Sequence, residues 1–241
     1  EENIKNIDLI VISSAINKEN PEVIFGSNQR IPIIKRAELL GEMIKVKRTS
    51  LAVSGTHGKT TATSMIGNVL YETNLDPTII AGGIVNKYNS NNISGSGEVI
   101  VVEADEFDKS FLSLNPTYIT LNNMELEHLD IYEDLNDLKK SFTKFANSTP
   151  FYGSVCIGID SKDLAAIIPD INRTCRTFGI TNKADIMAKN IKFNKTNTTF
   201  DVVINEQTVC RIKLMVPGLH NVYNALSAIS ICLEINLSIK C

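Results

Sequence analysis

The sequence predicts an α/β fold in which helices flank a mostly parallel sheet, with a small antiparallel section near the carboxyl end. Three observations support this prediction. Short apolar runs alternate with helical patterns up to residue 185. One strand–turn–helix unit carries a Gly-Lys-Thr loop of the phosphate-binding type. After Asp185, three strand-like runs follow each other with no helix between them.

The strands of the parallel part are short and apolar. The run Val99 to Val102 is wholly β-branched, which is typical of a parallel strand buried on both faces. In chain order, strands are predicted at residues 7–12, 51–53, 79–80, 99–102, 118–121 and 155–159. The pair Gly82-Gly83 is expected to end the third of these, and the Asn-, Ser- and Gly-rich stretch 86–97 is expected to be a mobile surface loop.

Helices are predicted where apolar residues recur at helical spacing. Leu135, Leu138, Phe142 and Phe145 share one face of such a helix. Further helices are predicted at residues 37–44, 164–168 and 221–234, and after the Gly-Lys-Thr loop. The antiparallel section is predicted to contain strands at 186–193, 199–204 and 208–214, joined by turns at 194–197 and 205–206.

The Gly-Lys-Thr loop has the sequence Ser-Gly-Thr-His-Gly-Lys-Thr-Thr at residues 54–61. Its spacing, G-x-x-G-K-T, is tighter than the usual G-x-x-x-x-G-K-[ST], and Val53 occupies the position of the first glycine. A glycine-rich turn with an exposed lysine is the alternative. We favour phosphate binding because strand, turn and helix occur together, with Lys59 reaching the β- and γ-phosphates and Thr60 binding Mg²⁺. The loop therefore predicts ATP or GTP chemistry.

Composition narrows the class of protein. The 241 residues suit one large domain, or one domain plus part of another. The net charge of −3, with no basic patch, argues against a nucleic-acid partner, and no apolar run is long enough for membrane insertion. The five cysteines are widely spaced, so reduced thiols and a cytoplasmic location are expected. Cys156 and Cys232 lie in apolar runs and are predicted to be core residues.

Two acidic segments follow predicted parallel strands, at the edge where such sheets bind ligands. In Val-Glu-Ala-Asp-Glu, residues 102–106, a carboxylate could hold Mg²⁺; a solvated strand end is the alternative. We favour a Mg²⁺-binding carboxylate, because the phosphate-binding loop needs a metal ligand from another strand. In the segment 125–130, His128 could bind a second divalent ion or orient a phosphate, or it could be a surface hydrogen-bonding residue. The residues alone leave that choice open.

A third polar segment, residues 217–225, opens the last predicted helix. Asn221 and Asn224 are three residues apart and share a helix face. Their amides could pair with the edge of an adenine, or they could be a helix cap and a polar helix face. Alone, this segment is a weak signal.

Taken together and in this order, the segments GTHGKTT, VEADEFDKSFL, NMELEHLDIY, FANSTPFYG and PGLHNVYNA resemble the Mur ligases. The resemblance covers nearly the whole chain, and residues 185–213 contribute least to it. It is strongest to the members that join L-alanine to UDP-N-acetylmuramate. Members that join a tripeptide to the same sugar nucleotide are one alternative, and a nucleotide-binding module without catalysis is another.

The resemblance implies an enzyme that uses ATP and Mg²⁺ to phosphorylate a substrate carboxylate, so that an amine can attack the acyl phosphate and form an amide. It implies catalytic roles for Lys59, Glu103 and His128, with Thr60, Glu103 and His128 as metal ligands. Ser13 and Ser14 match the region near the uridine diphosphate of the sugar substrate. The residues implied in ATP binding are Gly55, Thr56, His57, Gly58, Lys59, Thr60, Thr61, His220, Asn221 and Asn224.

The resemblance also predicts the domains. Residues 1–48 would be the carboxyl-terminal part of a Rossmann-like domain that binds the UDP-sugar, and residues 49–241 the central ATP-binding domain. The family's amino-terminal glycine-rich motif and its carboxyl-terminal domain are expected to be absent. The chain is therefore expected to be a fragment that is inactive alone.

Overall fold

The computed structural model describes residues 4, 6–85, 89–125 and 131–238. The helices are α1 (Pro21–Asn28), α2 (Arg36–Val46), α3 (Lys59–Glu72), α4 (Leu135–Asn147), α5 (Lys162–Ile167) and α6 (Leu219–Glu234). The strands are β1 (Ile10–Ile12), β2 (Ile33–Lys35), β3 (Thr49–Ser54), β4 (Thr78–Val85), β5 (Ser90–Ile93), β6 (Val99–Glu103), β7 (Tyr118–Leu121), β8 (Ser154–Gly158), β9 (Thr174–Gly179), β10 (Ile186–Phe193), β11 (Thr198–Ile204) and β12 (Gln207–Leu214).

Most strands belong to one sheet. Within the described residues this sheet has ten strands, in the order β12-β11-β10-β9-β8-β7-β3-β6-β4-β5. The pairings from β10 to β4 are parallel. Antiparallel pairings add β11 and β12 at one edge and β5 at the other. The predicted fold class, a mostly parallel sheet flanked by helices with a small antiparallel section, is confirmed.

Helices cover both faces of this sheet. One core contains the aromatic residues Phe111, Phe142 and Phe145, packed beneath α4 and α5. The other is formed beneath α3 and α6 and includes Cys156 and Cys232, which are buried as predicted. Burial on both faces explains why the strands read as continuous apolar runs.

The first part of the chain forms a separate small sheet. Strands β1 and β2 pair in parallel, with Ile10 opposite Ile33. Helix α1 is capped by the Asn20 side chain, which accepts a hydrogen bond from the Glu22 amide at 2.9 Å. The strand predicted at 7–12 begins at Ile10, and neither α1 nor β2 was predicted.

The glycine pair near residue 82 does not end its strand, so this prediction was wrong. Strand β4 continues through Gly82 and Gly83 to Val85, because its second edge is paired with β5. Strand β5 lies inside the stretch 86–97 that was expected to be a mobile loop. Residues 86–88 lie outside the described part of the chain.

Parallel strands present their carboxyl ends at a single edge of the sheet. Four of them, β8, β7, β3 and β6, are adjacent there. The segments after these strands begin at Ile159, Asn122, Gly55 and Ala104. The sheet therefore gathers segments that are distant in sequence into one candidate site.

Candidate nucleotide-binding site

The loop after β3 joins the sheet to helix α3 through two glycines with positive φ. Gly55 has φ of 136° and Gly58 has φ of 81°. Gly58 is the N-cap of α3, so the amides of the first helical turn point out of the helix end beside the loop. This geometry is that of an anion-binding loop.

Residues that follow β7 brace the loop from the side. Asn123 accepts a hydrogen bond from the His57 amide at 2.7 Å and donates one to the His57 carbonyl at 3.1 Å. The Glu125 amide donates to the Thr56 hydroxyl at 2.9 Å. A Cβ on Gly55 would lie 3.0 Å from backbone atoms of Asn123. These contacts within the protein hold the loop in its shape.

Lys59 extends back across the loop. Its ammonium nitrogen lies 3.0 Å from the Gly55 carbonyl oxygen, and 2.9 and 3.1 Å from the two carboxylate oxygens of Glu106. The Asp105 carboxylate lies farther away, at 3.6 Å. Burial raises the pKa of the Glu106 carboxyl, although the neighbouring Lys59 favours its charged form. Lysine and buried carboxylate form an ion pair beneath the loop.

Thr60 and Glu103 form a pair of oxygen ligands. The Thr60 hydroxyl donates to the Glu103 carboxylate at 2.9 Å, and the Gly82 amide donates to the same oxygen at 2.7 Å. A Cβ on Gly82 would lie 2.9 Å from the other carboxylate oxygen of Glu103, so a side chain there would push the carboxylate from this position. Hydroxyl and carboxylate oxygens are the donors that Mg²⁺ prefers, so the pair fits a magnesium ion.

Helix α6 places the predicted asparagines beside the loop. Asn224 is buried, and its side-chain oxygen lies 2.2 Å from where a Cβ on Gly58 would be. Asn221 instead donates to the Pro217 carbonyl at 2.7 Å, and His220 is exposed at the helix start. The N-cap is Gly218, so the helix begins two residues before the predicted start.

An open cavity of about 850 Å³ lies between the loop, α6 and the segment after β8. It is lined by the predicted residues His57, Gly58, Thr61, His220 and Asn224. The volume is in the range of small-molecule sites. Asn122 also lines it, and both polar atoms of the buried Asn122 amide have no hydrogen-bond partner in the described part of the protein.

A hydrogen-bond cluster around Asp160 fixes the far wall of this cavity. The carboxylate accepts hydrogen bonds from the Tyr223 hydroxyl at 2.5 Å, the Ile180 amide at 2.6 Å and the Asn182 amide at 2.7 Å. Burial opposes ionisation, but these bonds and that from Thr181 outweigh it and lower the pKa of Asp160 to about 2. Asp160 thus ties α6 to the segment after β9.

Ser13 and Ser14 follow β1 and are exposed. They line a separate cleft of about 190 Å³ that also borders Glu103 and Lys109. Ser14 donates a hydrogen bond to Asp108. The structure therefore brings Ser13 and Ser14 into one cleft with Glu103, a cleft separate from the large cavity.

His128, the remaining predicted residue, lies outside the described residues. Sequence reasoning also missed four residues. Asn123 was detectable, because it follows a parallel strand next to β3. Glu106 lay inside a segment already singled out. The Asp160–Tyr223 pair spans 63 positions, and no local pattern indicates it.

The fold and the strand–loop–helix geometry define an α/β protein of the phosphate-binding-loop type. Two family profiles match the sequence: "Mur ligase middle domain" over residues 53–232 and "Mur ligase family, catalytic domain" over residues 1–48. The chain belongs to the Mur ligase family, as the motifs predicted.

Individual relatives and solved structures support this family assignment. The chain is 45% identical over 237 residues to the UDP-N-acetylmuramate–L-alanine ligase of Sulfurihydrogenibium sp., covering 98% of this chain and 51% of the relative. The crystal structure of UDP-N-acetylmuramate–alanine ligase from Thermotoga maritima is similar with a TM-score of 0.84 at 28% identity, over 98% of this chain and 53% of that one. A UDP-N-acetylmuramate:L-alanyl-gamma-D-glutamyl-meso-diaminopimelate ligase from Neisseria meningitides also has a TM-score of 0.84, at 26% identity, covering 95% and 75%. The chain spans about half the length of the curated relatives it matches.

Proposed function

We propose that this chain is the nucleotide-binding part of an ATP-dependent ligase that joins L-alanine to UDP-N-acetylmuramate, a step in peptidoglycan precursor synthesis. The observation that carries the proposal is the placement of Lys59, Thr60 and Glu103 at one loop on a fold of the Mur ligase family. The names of the Sulfurihydrogenibium and Thermotoga relatives support the choice of substrates.

The residues at the loop would have different roles, which follow from their chemistry. The amides of residues 58–61, at the start of α3, would cradle the phosphates, and the Lys59 ammonium would neutralise charge on the transferred phosphoryl group. Thr60 and Glu103 would hold Mg²⁺, which supplies charge stabilisation when bound. A second-ion role for His128 stays a prediction from the sequence.

The surrounding residues would bind the two substrates. The cavity beside α6 would accept adenine and ribose, with Asn224 fixed next to the loop and His220 at the rim. The cleft at Ser13 and Ser14, which Glu103 also lines, would lie near the UDP-sugar. We also propose a domain boundary between residues 48 and 49, which would assign the small sheet to one domain and β3 to the start of the next. A cytoplasmic location completes the proposal, since these nucleotide substrates are cytoplasmic. Among the described residues no helix has both the length and the apolar character needed to cross a membrane.

The decisive experiment replaces Lys59 with alanine in the full-length enzyme. We expect ADP formation that depends on UDP-N-acetylmuramate and L-alanine to fall by at least about 100-fold, because a phosphate-clamping cation is lost. Lys183→Ala is the matched control, because this lysine is 82% exposed and pairs with Glu206 in a separate cleft that also includes Thr177 and Asp185. Near-normal turnover in Lys59→Ala would overturn the proposed role of the loop.

A ligase for a preformed tripeptide is the second candidate, favoured by the equal TM-score of the Neisseria structure. ATP consumption by the full-length enzyme with L-alanine, compared with the tripeptide, separates the two. A binding module without catalysis would consume ATP with neither amine.

A further inference from the structure

The donors of the Lys59 ammonium are already occupied. A lysine has three N–H donors. One is directed to the Gly55 carbonyl at 3.0 Å, and the two oxygens of the Glu106 carboxylate lie at 2.9 and 3.1 Å. A phosphate can bind this ammonium fully only if one of these acceptors gives way. Of these acceptors, the Glu106 carboxylate is the one that is negatively charged, as a phosphate is.

Glu106 is held more firmly than the lysine it faces. Its side chain is 3% exposed, and Lys59 is the cation paired with it in the described part of the chain. The Tyr132 hydroxyl donates to the Glu106 carbonyl at 2.5 Å, and the Lys109 amide donates to the same oxygen at 3.1 Å. Tyr132 is itself buried in the core. The backbone of Glu106 is therefore fixed and its carboxylate is buried, whereas Lys59 has a flexible four-carbon stem that can move.

A buried lysine without a counter-charge would be strongly unfavourable. Lys59 is 14% exposed, so it needs a negative partner both before and after a nucleotide enters. Glu106 supplies that partner in the free protein. The Asp105 carboxylate, at 3.6 Å and 48% exposed, is a weaker one.

We propose, resting on the nucleotide-binding function above, that Glu106 is a positioning residue for phosphoryl transfer. It holds the Lys59 ammonium against the loop in the free protein and neutralises it. When a nucleotide di- or triphosphate enters, its oxygens take over the outward-facing donors, while Glu106 keeps the remaining contact and fixes the direction of the lysine. The ion pair lowers phosphate affinity and in return aligns Lys59 for transfer.

This role predicts opposite effects on binding and turnover. In the full-length enzyme, Glu106→Gln should bind Mg-ADP roughly fivefold to tenfold more tightly, because one competing negative charge near the lysine is removed. Its kcat should fall by about tenfold or more, because Lys59 is no longer aligned. Binding is measured by titration calorimetry with Mg-ADP, and kcat by ADP release at saturating substrates. A residue that merely stabilised the fold would weaken both.

Asp105→Asn is the matched control, because it removes the same charge from the same lysine at an exposed position. Its Mg-ADP dissociation constant should change by less than about twofold. Equal changes in the two variants, or weaker binding in Glu106→Gln, would overturn the proposal.

Two further variants keep the test decisive. If Glu106→Gln does not fold, Glu106→Asp draws the carboxylate back by one methylene, and it should change affinity and kcat in the same directions by smaller factors. Unchanged affinity or unchanged kcat in that variant would overturn the proposal. Lys59→Ala separates the inference from the function on which it rests. If that variant binds Mg-ADP as the native enzyme does, the nucleotide site itself is wrong. If it loses binding while Glu106→Gln behaves like the native enzyme, only the role of Glu106 is wrong.

Discussion

The hydrogen bonds around Asp160 should make the stability of the protein depend on pH in a defined window. The pKa of this carboxyl falls from 3.8 to about 2 on folding. A lowered folded pKa contributes stability that is present above the unfolded pKa and is lost as the pH falls through the folded pKa. The window is therefore from about pH 4 down to about pH 2.

The size of the effect follows from the shift. A difference of nearly two pKa units corresponds to about 2.4 kcal/mol for a fully shielded group. Because Asp160 is only partly buried, solvent screening reduces the expected contribution to about 1–2 kcal/mol. About half of it should remain at pH 3.

The assay compares the native protein with Asp160→Asn by urea denaturation between pH 6 and pH 2.5. Only the difference between their free energies of unfolding is used, because other carboxyl groups titrate in both proteins. We expect this difference to shrink by about 1 kcal/mol over that range. Tyr223→Phe removes one hydrogen-bond donor to Asp160, so the decrease of this difference with falling pH should be smaller in that background. Tyr152→Phe, at a tyrosine that is 66% exposed, should leave the decrease unaltered. A difference that stays constant with pH would refute the reasoning.

Three substitutions test other parts of the structure. Gly58→Ala forces an alanine into the left-handed backbone conformation, which costs about 1–2 kcal/mol of stability. It also places a methyl group against Asn224, so calorimetry should show weaker Mg-ADP binding. Gly82→Ala pushes on the Glu103 carboxylate and should raise the Mg²⁺ concentration needed for half-maximal activity, with unchanged thermal stability as its control readout. Phe142→Ala empties a fully buried position and should lower the free energy of unfolding by about 3–5 kcal/mol in urea. Stability within 1 kcal/mol of the native protein, on the order of a surface substitution, would contradict the described core.

Much of the fold was predictable because its signals are local. The β-branched run that became β6 and the four-residue apolar face of α4 were both found. The extension of β4 through Gly82 was not found, because its reasons lie in the neighbours: β5 pairs with one edge, and the Glu103 carboxylate needs the space that a side chain would fill. Strand β9 was missed because its exposed and charged positions weaken the apolar signal.

The candidate site, like the fold, was predictable where its signals are local and was not where they depend on tertiary contacts. Gly55, Lys59 and Thr60 stand in one short segment, and their spacing predicted their placement at the helix end. The partner of Lys59 could not be ranked from sequence, since three acids occur within four residues of one another. Only the folded chain shows that Glu106 is buried against the lysine while Asp105 faces solvent.

The bracing of the loop by Asn123 has a thermodynamic consequence. A segment that must become ordered around its ligand loses conformational freedom at the moment of association, and that loss weakens the complex. Here the side chain of Asn123, which follows β7, already holds the backbone of His57, so little further ordering of the loop is needed when a ligand binds. Replacing Asn123 would move that entropic penalty from folding to ligand binding.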